Sequence, residues 1–353
     1  MYAAFYASVL ITHNVEAVSH GSAQAKWLEY QDYRGIIHCH SDLSHDSKGS
    51  FAGLRKAAER RDVDFIVTTD HWSKTLYGQS RRGMYGGTLF IAGAELRKAD
   101  GVTILAVPLP ANFTPQSDWQ TNAETLHKSG SLALAAHTEF SERNQIAKLD
   151  GAEIWNVHAE SIEGSVPHVT SSYLHLAWPI NLDLAFLVRN VDGAKRWHDA
   201  ETAKEKIVPA FAGDDNHENY PFIGYERTFL LSSTHVWAKN LTEPAILDAI
   251  KNGRGYVAFE VFGRAEGFRA YVSSSDGSIA LPGSTVSFGK SQFLNVAAIA
   301  CYSCTIQILR NGKQYVEEKS DTARIAISEP GIYSAVVYRN GHPWIFSNSI
   351  AVQ

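Results

Sequence analysis

Between Gln31 and Phe262, short β-branched or apolar runs alternate with helix-like segments. The apolar runs are "GIIHCH" (35–40), "DFIVTTD" (64–70), "TLFIAGAEL" (88–96), "GVTILAVPL" (101–109), "SLALAAH" (131–137), "GAEIWN" (151–156) and "IVPAFAGDD" (207–215). Helices are expected over Phe51–Arg61, Trp119–Lys128, Ser172–Val188, Ala194–Lys206 and Glu243–Asn252. The last is opened by Thr242 as N-cap, with Pro244 in its first turn. Strands alternating with helices predict βαβ units and a parallel sheet. Seven such strands suit a closed or nearly closed (β/α) barrel better than an open doubly wound sheet. The absence of a GxGxxG or P-loop motif weakens a nucleotide-binding reading.

After Gly263 the pattern changes. "FRAYVSS", "STVSFG", "FLNVAAIA", "TIQILRNGKQYVEEK", "ARIAIS" and "GIYSAVVYRNGHPWIFSNSIAV" are short strands separated by Gly, Asn and Ser turns. Arg310-Asn311-Gly312 and Arg339-Asn340-Gly341 have the form of hairpin loops. Helix signals are missing there. The expected architecture is therefore an α/β barrel over 31–262 and a small antiparallel β-sandwich over 268–353.

Composition limits what such a chain does. Its 353 residues leave room for one large α/β domain and a smaller one, and 44% hydrophobic with 20% charged residues suits a substantial core. The net charge of −5, without a Lys/Arg block, leaves no electrostatic footprint for nucleic acid, and no nucleic-acid partner is expected. No apolar run approaches the ~20 residues of a membrane-spanning helix. The three cysteines form no disulfide framework. Cys301 and Cys304 fall in one strand-like run, where an offset of three puts them on opposite faces as small buried hydrophobes. At the N-terminus (1–30), "AAFYASVLI" and Ala23-Gln24-Ala25 have the form of a signal segment and its cleavage site, although no basic residue precedes the apolar run. Export, as to a periplasm, is favoured over a cytoplasmic location.

Histidine is the unusual component, with 15 copies against two methionines. The barrel-type strands end in metal-binding side chains: His38 and His40, Asp70 and His71, Glu95, His137, then Asp215 and His217, while "GAEIWN" carries Glu153. In β/α barrels the loops converge at the C-terminal strand ends, so residues far apart in sequence meet at one mouth. His38 and His40, at i and i+2 on a strand, leave the same face and can grip one ion. Imidazole and carboxylate without thiolate suit Zn, Mn or Fe. A carboxylate such as Glu95 can bridge two ions, and the hydroxide they generate removes the need for a side-chain nucleophile. His45 stands in the loop after His40, which is placed to fold over the ions. Asp42, Asp46, Glu139 and His158 lie nearby as further, secondary candidates.

The ordered motifs His38-Cys39-His40-Ser41, Ser44-His45, Thr69-Asp70-His71, Gly93-Ala94-Glu95, Ala136-His137 and Gly213-Asp214-Asp215-Asn216-His217 resemble the PHP (polymerase and histidinol phosphatase) family of metal-dependent hydrolases. The resemblance implies a distorted seven-stranded barrel with two or three divalent ions. It implies that His38, His40, Glu95 and Asp215 hold one ion, Glu95 and His137 a second, and His45, His71 and His217 a third. Asp70 would orient a ligand histidine. The chain departs from the pattern at Val102 and Thr103, where a further histidine is common, and at Thr138-Glu139, where Pro-Gly is usual. The second ion is thereby left short of ligands unless Glu153, Glu139 or water fills in. The C-terminal strands resemble the branch that includes carbaryl hydrolase.

The expected activity is hydrolysis of a small-molecule ester by a metal-bridging hydroxide, with a phosphoester preferred. His217, His71 or water would protonate the leaving group, and Arg97 and Arg227 would hold a phosphate. An aryl carbamate or carboxylic ester is the first alternative, with Trp72, Tyr77, Trp155 and Tyr225 as candidate apolar lining. A non-catalytic metal-bearing scaffold, with the β-domain as binding module, is the second. Oligomeric state is not readable.

Overall fold

The computed structural model describes residues 29–138, 141–157, 192–219, 224–299 and 301–353. All seven apolar runs form strands: β1 (Gln31–Cys39), β2 (Phe65–Thr68), β4 (Thr88–Ala92) with β5 (Ala94–Ala99), β6 (Val102–Val107), β7 (Leu132–Ala136), β8 (Gly151–Asn156) and β9 (Ala210–Gly213), while β3 (Gly83–Tyr85) is an additional strand outside these runs. Gly93 splits one run into β4 and β5. A Cβ there would lie 2.7 Å from the Ala106 carbonyl oxygen, so only glycine permits the close crossing.

β1 pairs in parallel with β2 and β9, β2 with β4, and β8 with β7 and β9. β6 is antiparallel to both β5 and β7, which corrects the expectation of a wholly parallel sheet. The cause is local. Asp100 and Gly101 both adopt positive φ (48° and 85°), as a two-residue hairpin turn requires, so β5 returns directly as β6. A parallel bridge from His71 to Glu95 ties the end of β2 to β5, and the sheet closes on itself.

The fold is mixed α/β with a second, all-β part, but the large sheet does not stop at seven strands. β10 (Ser233–Ala238) lies antiparallel to the first half of β1, and β11 (Gly255–Ala258) lies antiparallel to β10. The remaining strands are β12 (Arg269–Ser273), β13 (Ile279–Ala280), β14 (Thr285–Val286), β15 (Phe293–Ala297), β16 (Cys304–Arg310), β17 (Lys313–Glu318), β18 (Thr322–Ala326), β19 (Gly331–Arg339), β20 (His342–Ser347) and β21 (Ile350–Val352). β20 pairs with β11, so the sheet runs on through β19, β16 and β17. Facing it, β13–β12–β15–β18 forms a separate four-stranded sheet. Ala270, Val272, Leu294 and Val296 pack there with Ile306, Ile308, Ala335 and Val337 in one apolar core. Both "RNG" loops are hairpins with paired positive φ, 51° and 70° at Asn311-Gly312 and 51° and 81° at Asn340-Gly341.

Helices form at Phe51–Arg60, Trp119–Lys128, Asp192–Lys204 and Glu243–Lys251. Ser50 and Asp118 cap the first two by accepting backbone N–H bonds. Thr242 precedes the last as expected, but its hydroxyl donates to Asn240 Oδ1 instead of capping. The helix expected at Ser172–Val188 and the N-terminal segment lie outside the described residues. Cys301 and Cys304 form a disulfide with Cα atoms 5.7 Å apart. This corrects their reading as opposite faces of one strand: β15 ends at Ala297, so Cys301 sits in the connection that bends back into β16.

Where β1, β10 and β11 meet, His235 Nδ1 lies 2.8 Å from Asp32 Oδ1, and its Nε2 lies 2.8 Å from Glu260 Oε1. Burial alone would lower the His235 pKa, yet the two carboxylates raise it to about 9. The unfolded group titrates near 6.5. The stabilisation is therefore complete below that value and is lost as pH rises through about 9. The melting temperature followed by circular dichroism should fall between about pH 6.5 and 9.5, and a His235→Gln variant, up to ~3 kcal/mol less stable at pH 6, should show a flatter slope. A wild-type melting temperature constant over that range contradicts the assignment.

Candidate metal centre

The strand ends converge as the sequence suggests, but not by plain alternation. β1 carries an irregularity between Ile37 and Cys39, with His38 at φ 60°. Ile36 and Cys39 consequently share one apolar cluster with Leu54 and Ala57, a pairing that regular period-two alternation forbids. His137 and Asp215 also adopt positive φ, 48° and 51°. Three residues at the core of the cluster thus sit in a conformation that L side chains seldom adopt, a feature that concentrates at functional sites.

His38, His40, Glu95 and Asp215 present one ligand atom each, all within 4.8 Å of one another. His38 Nε2 lies 3.6 Å from Glu95 Oε2 and 3.3 Å from Asp215 Oδ1. His40 Nε2 lies 3.3 Å and 3.2 Å from the same two oxygens. Both Nε2 atoms are buried without a hydrogen-bond partner. Tetrahedral ligands on bonds of about 2.1 Å stand ~3.4 Å apart. The four groups therefore fit a shared divalent cation, and their separations lie at or beyond the long end of the hydrogen-bond range.

The histidines are oriented from behind. Glu153, 2% exposed, lies 2.7 Å from His38 Nδ1 through Oε1 and accepts the His137 N–H at 2.7 Å through Oε2. Gly213 makes room for it, since a Cβ there would sit 1.7 Å from Glu153 Oε1. Ser44 Oγ donates to Asp70 Oδ1 at 2.9 Å, accepts the His71 N–H at 3.0 Å and faces His40 Nδ1 at 2.9 Å. Asp70 also accepts the Ser41 N–H and hydroxyl, at 2.6 Å and 2.8 Å. In the neutral form of both histidines the proton is thereby placed on Nδ1, so that loss of the second proton frees the Nε2 lone pair on the side of the carboxylates. Sequence reading held Glu153 only as a substitute ligand. The S-x-x-S spacing and Gly213 were the signals of its support and that of Ser44.

Electrostatically the cluster draws positive charge to itself. Burial would raise Glu95 and Asp215, but histidine contacts hold both well below the carboxylate range, led by His137 for Glu95 and His38 for Asp215. Conversely, burial would lower His38 and His40, yet Asp215 with Glu153 and Glu95 pulls His38 well up and His40 to about 9. His217 goes the other way. Burial and the adjacent His40 push it down to about 4, while its Nδ1 lies 2.9 Å from the Asp215 carbonyl oxygen.

A second group, His40, His71 and His217, also gathers its ring nitrogens. Asp46 reaches it: Oδ2 lies 3.1 Å from His71 Nε2 and Oδ1 3.7 Å from His217 Nε2. His45 is exposed, with its ring 5.1 Å from that of His71. His137 Nε2 stands 3.5 Å from Glu95 Oε1. Arg227 sits on a short helix, Tyr225–Thr228, against helix Phe51–Arg60. Arg97 is in β5 with its side chain outside the described residues, as are Glu139 and His158. Of the proposed apolar lining, Trp155 and Tyr225 are packed in the core, and the Tyr225 hydroxyl donates to the His40 carbonyl oxygen. Trp72 is half-buried, with its indole N–H on the Phe113 carbonyl, and Tyr77 is exposed beneath Arg82.

No family model and no curated protein matches the chain. Solved structures do. One is a two-domain protein containing a predicted PHP-like metal-dependent phosphoesterase from Bacteroides vulgatus ATCC 8482, 16% identical, with 91% of this chain and 96% of that one covered and a TM-score of 0.45. Another is endonuclease Q in complex with a 27-mer duplex substrate bearing an abasic lesion at the active site, 17% identical over 63% of this chain and 57% of that one, with a TM-score of 0.38. The family that the ordered motifs resemble is the one named for the first structure. The second corrects the expectation that nucleic acid is excluded. A net charge summed over the chain says nothing about charge at one cleft, where cations held by a site can meet phosphates locally.

Two outcomes follow from this geometry. Ser44→Ala removes the partners of His40 Nδ1 and the His71 N–H, and should weaken Zn²⁺ or Mn²⁺ binding about 10–100-fold in calorimetry while the circular dichroism spectrum is retained. Unchanged affinity would show that Ser44 does not orient His40. Because a cation replaces protons on His38 and His40, loading the cation-free protein should release protons, with affinity falling as pH falls. Calorimetry in buffers of different ionisation enthalpy measures this, and zero proton release would contradict it.

Proposed function

We propose that this chain is a metal-dependent hydrolase of the PHP type acting on phosphoesters. One observation carries the reading: two buried, unpartnered imidazole nitrogens face two buried carboxylates at 3.2–3.6 Å. In this reading His38, His40, Glu95 and Asp215 hold one divalent ion, Glu95 and His137 contribute to a second, and His71 and His217, with the His45–Asp46 loop, hold a third. When bound, Zn, Mn or Fe ions supply Lewis-acid polarisation of the phosphoryl oxygen and bring the pKa of water toward ~7.

The chain's own side chains do the rest. Glu153, Ser44 and Asp70 keep His38 and His40 in one tautomer. His71, at the open edge with Asp46 Oδ2 3.1 Å from its Nε2, holds the third ion or, where that ion is absent, carries the proton for the leaving group. His217, pushed down to about 4, is neutral at pH 7 and serves as a lone-pair donor rather than an acid. Arg97 and Arg227 hold the phosphate. A phosphoester is preferred to an aryl carbamate because two of the candidate lining residues, Trp155 and Tyr225, are packed in the core. Nucleic-acid phosphodiesters fall within the class.

The same reading takes the barrel as seven-stranded. With β4 and β5 counted as one strand bent at Gly93, a ring runs from β1 through β2, β4/β5, β6, β7, β8 and β9 and back to β1, a count the pairings support. It takes 31–262 as the hydrolase unit and 268–353 as the β-unit. It also takes the protein as exported, which the Cys301–Cys304 disulfide supports, since such bonds persist in oxidising compartments.

The test uses Mn²⁺- or Zn²⁺-loaded protein on a nitrophenyl phosphate, a bis(nitrophenyl) phosphate, a nitrophenyl N-methylcarbamate and an abasic-site duplex. Cleavage of a phosphoester faster than the carbamate is expected, lost on chelation and reduced at least ~100-fold in His40→Ala and Asp215→Asn. Faster carbamate cleavage, or normal turnover in either variant, overturns the assignment.

A further inference from the structure

The second ion is the weak point of that reading, because the position that would complete its ligands holds no imidazole. Val102 is buried in an apolar cluster, and Thr103 is buried beside it in β6. The two carboxylates, however, divide their oxygens. Glu95 turns Oε2 to His38 and His40 and Oε1 to His137, with His137 Nε2 at 3.5 Å. Asp215 turns Oδ1 to His38 and His40, and its Oδ2 also lies 3.5 Å from His137 Nε2.

We propose that Asp215 takes the place of the missing histidine, so that a second divalent ion is held by Glu95 Oε1, Asp215 Oδ2 and His137 Nε2, with both carboxylates bridging. The proposal rests on the metal-dependent reading above and specifies its ligands. Two equal separations of 3.5 Å are too long for hydrogen bonds and match the ~3.4 Å between ligands on a common ion. The supporting residues agree with it. Asn156 Nδ2 donates to Asp215 Oδ2 at 3.3 Å and to Glu153 Oε2 at 3.1 Å, which fixes the carboxylate plane and leaves Oδ2 a second lone pair. Glu153 Oε2 accepts the His137 N–H, holding the backbone turn that aims this imidazole inward. Exposure separates the two ions. The His38 and His40 side chains are 0% exposed, whereas that of His137 is 18% exposed. The first ion is enclosed, and the second is the one with room for a substrate oxygen, as open coordination positions require.

The measurement is an ion count by mass spectrometry on the full chain, stripped and reloaded with Mn²⁺, together with electron paramagnetic resonance of the loaded protein. His137→Ala should hold one ion fewer than wild type and lose the exchange-coupled signal of a bridged manganese pair. Asp215→Asn should hold two fewer. Asn156→Ala, which keeps every ligand, should weaken only the second of these two binding steps, by about 10-fold in calorimetry, and guards against an Asp215 variant that does not fold. If wild type binds no ion, the metal-dependent reading fails and this proposal with it. If wild type binds ions but His137→Ala keeps the full complement, or Asp215→Asn loses one alone, the bridging assignment is overturned while the hydrolase reading stands. Weakening of the first step in Asn156→Ala would also overturn it.

Discussion

Two carboxylates buried side by side, Glu95 and Asp215, are the constraint around which the barrel mouth is organised. Neither has a lysine or arginine partner among its described ion pairs; all of them are histidines. An uncompensated buried carboxylate is very costly, so such a pair persists only where positive charge is delivered to it. Protons on His38 and His40 deliver it in one state and a divalent cation in another. The alternation between these states is what makes the cluster a site rather than a salt-bridge network.

The contrast with the network below β1 is instructive. There Arg34 and His235 face Glu260 and Asp32, and each charge has a resident partner. That arrangement serves to hold β1, β10 and β11 together, with opposite charges already matched within the chain. At the mouth, by contrast, the two Nε2 nitrogens that face the carboxylates have no hydrogen-bond partner, while Glu153, Ser44 and Asp70 hold the rings from behind. Rigid support with unsatisfied front atoms is the signature of preorganised binding.

The backbone pays for this geometry with positive φ at His38, His137 and Asp215. Each strained residue is tied down by neighbours: His38 by Glu153, His137 by its N–H on the same carboxylate, and Asp215 by Asn156. A single buried glutamate thus holds two of the three turns. Its own position depends on the bare Cα of Gly213 one strand away. Removing any of these groups would loosen several ligands together, which is why motif residues far apart in the chain act as one unit.

The sequence alone determined the strand runs, four of the helix positions, the two Asn-Gly hairpins and the residue types that gather at the mouth, because these follow from local periodicity, turn chemistry and ordered motifs. It also placed His38, His40, Glu95 and Asp215 together, since strand ends of a closed sheet converge wherever the strands are recognised. Tertiary structure decided what local pattern cannot carry. The bulge at His38, rather than alternation, sets the direction of its side chain. The Asp100-Gly101 turn makes β6 antiparallel, and the turn before β16 brings Cys301 back to Cys304. The pairing of β11 with β20 joins the C-terminal strands to the large sheet. The division of each carboxylate between two sets of histidines depends on side-chain torsions fixed by contacts between distant positions, as between Asn156 and Asp215 across 59 positions and His38 and Glu153 across 115. Such contacts exist only once the sheet has closed, and no spacing along the chain encodes them.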